Sequence, residues 1–474
     1  MTVLMFVGFV SVELAANGKV LPSLFIYPGA VAGIFLALHI TLRIFLPRAD
    51  PLLLPVSAGL TFVGMVMIYR LDPGLAMEQS IWIAVAAVSF ILVVLFLRNY
   101  ELLAQYKYTL AVAALLLLAS TMVLGTEVNG ARLWLRIGPL NFQPSEIAKI
   151  LLVIFLAAFF AEKHELLSVS THRVLGVKVP ELKYFGPLLL MWGVSVLMMI
   201  FQKDLGSSLL FFGIFICMLY AATSRKSYVF VGLALFLLGA YLCYLSFGHV
   251  ETRVMTWLHP FNPATIENES YQITQSLFAL SSGGISGCGL GLGQPNSIPS
   301  VTTDFIFSAV GEELGLLGAV SVVVMYVLFV ARGVKVALTQ RDDFGKLLAF
   351  GLVSIIALQS FIIMGGVTRL IPLTGITLPF MSYGGSSLLA NFILLALLLV
   401  LSDRAAGTDA VGIKEGSSAP SHKYNGIRTP LHPLLLRSAP CAVLREYASV
   451  ARLAGAAHRR SQCFTVLMRR DTMR

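Results

Sequence analysis

The chain alternates long apolar runs with short polar stretches. The runs cover about residues 2–16, 21–45, 51–68, 81–97, 108–124, 147–160, 184–201, 205–222, 228–247, 305–330, 347–364 and 386–401. Most approach the roughly 20 residues a helix needs to cross a bilayer core. None shows the period-two alternation of a membrane β-barrel strand. The pattern predicts an all-α polytopic membrane protein with about twelve transmembrane helices. Lys and Arg fall in alternate loops: Arg43 and Arg48; Arg98 and Lys107; Lys163, Arg173, Lys178 and Lys183; Arg225 and Lys226; Arg332, Lys335, Arg341 and Lys346. The longest of the other loops, residues 249–303, holds only Arg253. The positive-inside rule therefore places both termini in the cytoplasm and that long loop outside.

Composition agrees, with 57% hydrophobic and 12% charged residues. The net charge of +10 sits largely in short loops and the tail, which points to lipid headgroups and away from nucleic acid. Met1 to Ala16 lacks a basic n-region and a cleavage site, so the first run reads as a span. Cys217 and Cys243 lie in apolar runs, Cys288 in a glycine-rich loop, and Cys441 and Cys463 in the tail. That spacing suggests neither zinc nor a structural disulfide. Residues 404–474 are rich in Ala, Ser, Pro and Arg and read as a basic, disordered cytoplasmic tail. Its middle has the composition of an amphipathic helix at the membrane surface.

Polar groups at the edges of apolar spans are expensive and tend to mark cavities or pair with each other. Here they gather on the outward side. Asn129 to Arg136 is followed by Gln143-Pro144-Ser145-Glu146, with Lys149 one turn on. Glu146 and Lys149 fall on one helix face, as a site or as a structural ion pair. Asp204 in Gln202-Lys203-Asp204 is a helix cap or a polar group at membrane depth. Gly366 to Ser387, with two prolines and Arg369, Gly384, Gly385 and Ser386, cannot continue a helix and should line a cavity. The glycines from Gly283 to Gly293 lack GxGxxG spacing and follow no strand, which argues against nucleotide binding. They read as a mobile outer loop beyond a short surface helix, residues 271–280. Asp304, at the entry to the next apolar run, reads as an N-cap or as a functional carboxylate. Glu312 and Glu313 point to different helix faces, so at most one should serve a site.

Together, NGARLWL with FQPSEIAK, QKDLGSS, YQITQSLFALSSGGISGCGLG, TTDFIFSAVGEELG and PLTGITLPFMSYGGSS resemble the RodA/FtsW/SpoVE (SEDS) family of bacterial cell-wall synthesis. The two extra N-terminal spans and VTRLIPLTGITLPF look closer to its RodA-like branch. The resemblance implies a ten-helix core over 51–403, with residues 1–50 as additional N-terminal helices and 404–474 outside. It implies polymerisation of glycan strands from lipid II, in the inner membrane, beside a class B penicillin-binding protein. Two departures stand out: Ser300 where the family often has Glu, and Lys203 where Pro is usual. They leave Asp304 as the matching candidate for the essential acid.

Such a reaction needs a base for the acceptor hydroxyl and positive charge for the departing polyprenyl pyrophosphate. Asp304 is the candidate base. Arg132, Arg136, Lys149 and Arg369 are candidate cations, with Glu146, Asp204 and Ser386 beside them as substrate-binding residues. No metal site or cofactor is implied by the side chains, although a divalent cation, magnesium or manganese, is compatible with pyrophosphate chemistry. A lipid II flippase and a non-catalytic scaffold for the penicillin-binding protein are the alternatives.

Overall fold

The computed structural model describes residues 2–20, 25–128, 131–137, 140–168, 172–174, 177–179 and 182–417. The expected disordered tail beyond 417, with its amphipathic segment, lies outside these residues. Helices α1 (Thr2–Asn17), α2 (Ile26–Phe45), α3 (Leu53–Leu71), α4 (Pro73–Phe96), α5 (Glu101–Gln105) and α6 (Lys107–Leu124) open the chain. Strands β1 (Thr126–Val128), β2 (Ala131–Ile137) and β3 (Leu140–Phe142) form a small antiparallel sheet before α7 (Ser145–Ser168). A second hairpin, β4 (His172–Val174) and β5 (Val177–Val179), leads to α8 (Leu182–Phe201) and α9 (Leu205–Thr223). Then come α10 (Lys226–Ser246), α11 (Gly248–Leu258), α12 (Tyr271–Ser282), α13 (Ile306–Glu313), α14 (Gly315–Thr339), α15 (Asp343–Val367) and α16 (Gly385–Ser417).

Ten of these helices among the described residues are long and apolar enough to cross a membrane. The 16-residue α1 and the 20-residue α8 occupy the two remaining predicted runs. This is a multi-pass α-helical membrane protein, and the short strands are confined to the polar connections. Helix ends follow local chemistry. Asp72 caps α4 by accepting from Gly74 N at 2.8 Å, with Pro73 behind it, where its missing N–H costs nothing. Asp342 caps α15 through Gly345 N at 2.6 Å.

The centre is built from α3, α7, α15 and α16, whose inward faces are almost wholly buried, whereas α10 buries only Tyr228 and Gly232. At the basic end Asp50 pairs with Arg332, and Arg404 donates to Arg98 O, which ties α16 to the α4–α5 connection. α16 continues to Ser417, so the helix runs past the tail boundary expected at 404.

Two expectations change. The apolar stretch 305–330 is not one span: it breaks at Leu314 and Gly315, and the spanning helix is α14. α12 does not lie on the surface, because Ile273, Thr274, Ser276 and Ala279 are buried, with Ser276 Oγ donating to Val367 O at 3.0 Å. The additional helix α1 packs on α3. Phe9 stacks near Tyr69 of α3 at 4.8 Å, and Glu13, buried, accepts from Tyr69 Oη and Asn17 Nδ2.

Candidate active site

The glycine-rich segment reaches Asp304 by wrapping the break between α13 and α14. Cys288 N and Gly289 N donate to Glu312 O and Glu313 O, and Leu316 N donates back to Gly284 O at 2.9 Å. Two backbones touch here, and only glycine permits it: a Cβ on Gly287 would fall 2.1 Å from Glu313 O, and one on Gly315 2.3 Å from Gly287 N. Both residues have positive φ, at +85° and +66°. The two glutamates complete the clamp. Glu312 Oε1 accepts from Gln294 N at 2.7 Å, and Glu313 Oε2 accepts from Gly291 N at 2.9 Å while pairing with Arg70 at 3.1 Å. Both hold the loop. The loop is pinned, which corrects the reading of it as mobile.

Beyond the 3-10 turn Pro295–Ser297, Ser300 adopts φ +58° and its carbonyl accepts from Asp304 N at 3.1 Å. Tyr383 N donates to Thr302 O at 2.9 Å and Ser382 Oγ to Thr303 O, so the 376–384 loop grips the residues before Asp304. Asp304 is not the cap of α13. Phe305 holds that position, with no side-chain cap bond. The half-buried Asp304 carboxyl is pushed up to about 6, chiefly by burial, against the neighbouring Thr303 hydroxyl and Arg253.

Arg253, on α11, is the residue the sequence reading passed over. It donates through Nη1 to Leu373 O at 2.9 Å and lies within electrostatic reach of Asp204 and Asp304. A Cβ on Gly375 would lie 3.5 Å from Asp304 Oδ2 and 3.8 Å from Arg253 Nη2, so all three meet at one point. Burial lowers the Arg253 pKa, opposed by the two carboxylates. Asp204 does cap α9, accepting from Ser207 N at 2.9 Å. Its Oδ2 is buried without a hydrogen-bond partner. Burial first, and Glu146 to a smaller degree, push its pKa up. Lys203, before it, adopts φ +61°, a conformation closed to proline, so this chain's departure from the common motif matches its backbone. The one sequence signal for Arg253 was its isolation as the lone basic residue of the long loop.

The other candidates separate into groups. Lys149, buried, donates to Glu146 Oε2 at 2.6 Å and to Gln359 Oε1 at 2.8 Å. Gln359 passes the chain on to Thr377 O, and Thr377 to Ser387 Oγ, each at 2.8 Å. Ser386 accepts from Gln143 N at 3.1 Å, which fixes the sheet to the start of α16. Arg132 and Arg136 lie exposed on β2. Arg369, at φ +62°, donates from Nε to Trp257 O and from Nη2 to Leu258 O, both at 2.9 Å, and so closes the C-terminus of α11.

Among the described residues no three His, Cys, Asp or Glu side chains converge as metal ligands. Asp204 and Asp304 both lie within electrostatic reach of Arg253.

A polytopic helical bundle with buried carboxylates and a cation gathered at one end is the class this geometry defines. The chain belongs to the FtsW/RodA/SpoVE family of cell cycle proteins, which matches residues 51–406. It is 47% identical over 393 residues to the peptidoglycan glycosyltransferase RodA of Mycobacterium tuberculosis strain H37Rv, covering 80% of this chain and 83% of the relative. It is 34% identical over 376 residues to the probable peptidoglycan glycosyltransferase FtsW of Geobacter metallireducens, covering 76% and 96%. Among solved structures it is similar to a chain from a study of how a peptidoglycan synthase complex coordinates polymerization and crosslinking, with TM-score 0.64, 28% identity, and 75% and 98% coverage. It also resembles the rod shape determining protein RodA of Thermus thermophilus, with TM-score 0.54, 27% identity, and 75% and 96% coverage.

Proposed function

We propose that this chain is a peptidoglycan glycosyltransferase of the RodA-like branch that polymerises glycan strands from lipid II. The observation that carries the reading is the Asp304 carboxyl: relieved of any capping duty, pushed up to about 6, and set beside Arg253. A base performs best when its pKa lies near the working pH. In the step, the acceptor sugar's hydroxyl oxygen bonds to the anomeric carbon of the donor and its proton passes to Asp304. The bond from that carbon to the pyrophosphate oxygen breaks, the electron pair leaves with the polyprenyl pyrophosphate, and the configuration inverts. Arg253 is the cation nearest the base, and Arg132 and Arg136 stand on the sheet at the same end to meet pyrophosphate oxygens. Glu146, Lys149 and Ser386 frame the site, and Asp204 lies within electrostatic reach of Arg253.

The alternation of basic loops supports an orientation with this end outside the cytoplasmic membrane and both termini inside. The lipid tail lies among the helices. A class B penicillin-binding protein is the partner, in keeping with the synthase complex to which the bundle is similar. Leu394 to Leu401 of α16 are buried and apolar, which favours a polymerase over a flippase with a hydrophilic path through the bundle. The test is purified protein given labelled lipid II, with products resolved on a gel. Glycan chains are expected; unreacted lipid II from folded protein overturns the reading.

A further inference from the structure

A cavity of about 150 Å³ lies between α11, the start of α12 and the loop after α15, and the transfer step described above leaves it unused. Its polar wall comes from Arg253 and Trp257 on one side and Glu269 and Gln272 on the other, with Ile371 and Leu373 as its apolar floor. Three features give it the character of a binding site.

Arg253 belongs both to this cavity and to the Asp304 group, so whatever fills the cavity is delivered next to the base. Trp257 is also fixed in advance. Its Nε1 donates to Arg369 O at 3.1 Å, while the Arg369 guanidinium grips the carbonyls of Trp257 and Leu258. This reciprocal clasp gives Arg369, placed in the left-handed region at φ +62°, a use that the pyrophosphate expectation does not supply. Finally, the cavity is lined by the solvent-exposed Glu269 and the half-buried Gln272, whose side chains make no hydrogen bond among the described residues and are open to a ligand entering from solvent.

An ordered aromatic face, a carboxylate and a carboxamide with unused hydrogen-bonding capacity, and an apolar floor match a pyranose ring, which offers apolar C–H faces and equatorial hydroxyls. The charge balance argues against pyrophosphate. Glu269 opposes the single cation, Arg253, whose guanidinium is already engaged by Leu373 O and drawn to Asp204 and Asp304. We propose that this cavity is a saccharide subsite that takes an uncharged amino-sugar of the acceptor strand and presents its hydroxyl toward Asp304. The assignment to the acceptor rests on the polymerase reading; recognition of a sugar does not.

The test needs no turnover. Full-length protein in detergent micelles is titrated with chitotetraose, a neutral β-1,4-linked amino-sugar tetramer, and saturation-transfer NMR gives the affinity. Wild type is expected to bind, and Trp257→Ala and Gln272→Ala to bind at least about tenfold more weakly with unchanged melting temperatures, as loss of an anchoring contact implies. Glu269→Gln, which keeps a hydrogen-bonding group, should bind within about threefold of wild type, and Glu269→Ala should not. Absence of binding to folded wild type overturns the subsite, as does binding by the Trp257 and Gln272 variants within about twofold of wild type. A protein that binds the tetramer but leaves lipid II unpolymerised would sink the polymerase reading alone, and one that polymerises without binding it would sink the subsite alone.

Discussion

Two cations of this bundle, the buried Lys149 and the half-buried Arg253, are treated in opposite ways. Lys149 is satisfied by the protein itself: it is in ion-pair contact with Glu146 at 2.6 Å and shares a hydrogen bond with Gln359 at 2.8 Å. Arg253 has two carboxylates in electrostatic reach, yet among the described residues it makes no ion-pair contact, and its guanidinium donates instead to the Leu373 carbonyl. Asp204, nearby, keeps one oxygen buried and unbonded. A cation whose partners lie inside the fold stabilises helix packing. A cation held near carboxylates that it does not neutralise leaves a site with unspent interactions, and unspent interactions are what a substrate can use.

The contrast is most sharply broken at Lys149. Replacing it with Met leaves the Glu146 carboxylate buried without its partner, and breaking such a pair typically costs about 3–5 kcal/mol. A large fall in melting temperature is expected, partly restored by the double change Lys149→Met with Glu146→Gln. An unchanged melting curve would show that Lys149 is not a frame residue.

Next in size is the loop clamp. Gly287→Ala would force a Cβ into Glu313 O at a position already at φ +85°, a strain of about 1–3 kcal/mol before the loop moves. The expected result is lost polymerisation with modest loss of stability, read by the gel assay beside a thermal melt. Wild-type rates would mean that the loop does not position Asp304.

The pH profile sharpens the other half of the contrast. With the Asp304 carboxyl near 6, the base form disappears as pH falls through about 6, so the rate should drop about tenfold per unit below that and level off above it. The same shift has the opposite sign for stability. A folded pKa raised above the unfolded one favours the protonated fold, so stability associated with Asp304 declines as pH rises through the window from about 4 to about 6. The smallest effect belongs to the far end: removing residues 418–474 should leave the melting temperature unchanged, because their composition cannot bury much apolar surface.

Much of the architecture was legible in the sequence because apolar run length reports directly on membrane spans. The break at Gly315 was not, since hydropathy continues through it and only the backbone contact with Gly287 reveals the need for it. The site was legible as a list of outward polar residues, but the list gave no means of ranking them. Glu146 and Lys149 sit one helical turn apart, so their pairing could be foreseen; the long-range contact with Gln359 that completes it could not. Arg253 was visible only as a topology signal, because its significance depends on Asp204, Asp304 and Gly375, which come from three separate segments. The bonds of Arg369 to the end of α11 had no signal in the sequence, because they join segments more than a hundred residues apart.

The measurement that bears most directly on the account is polymerisation of lipid II by purified Asp304→Asn. Asn preserves the side-chain size but cannot take the acceptor's proton, so the rate should fall about 100- to 10,000-fold. Because the neutral amide also relieves the cost of a desolvated carboxylate, the variant should melt at or above the wild-type temperature at pH 8. Near-normal glycan synthesis by the folded variant would contradict the assignment of Asp304 as the base.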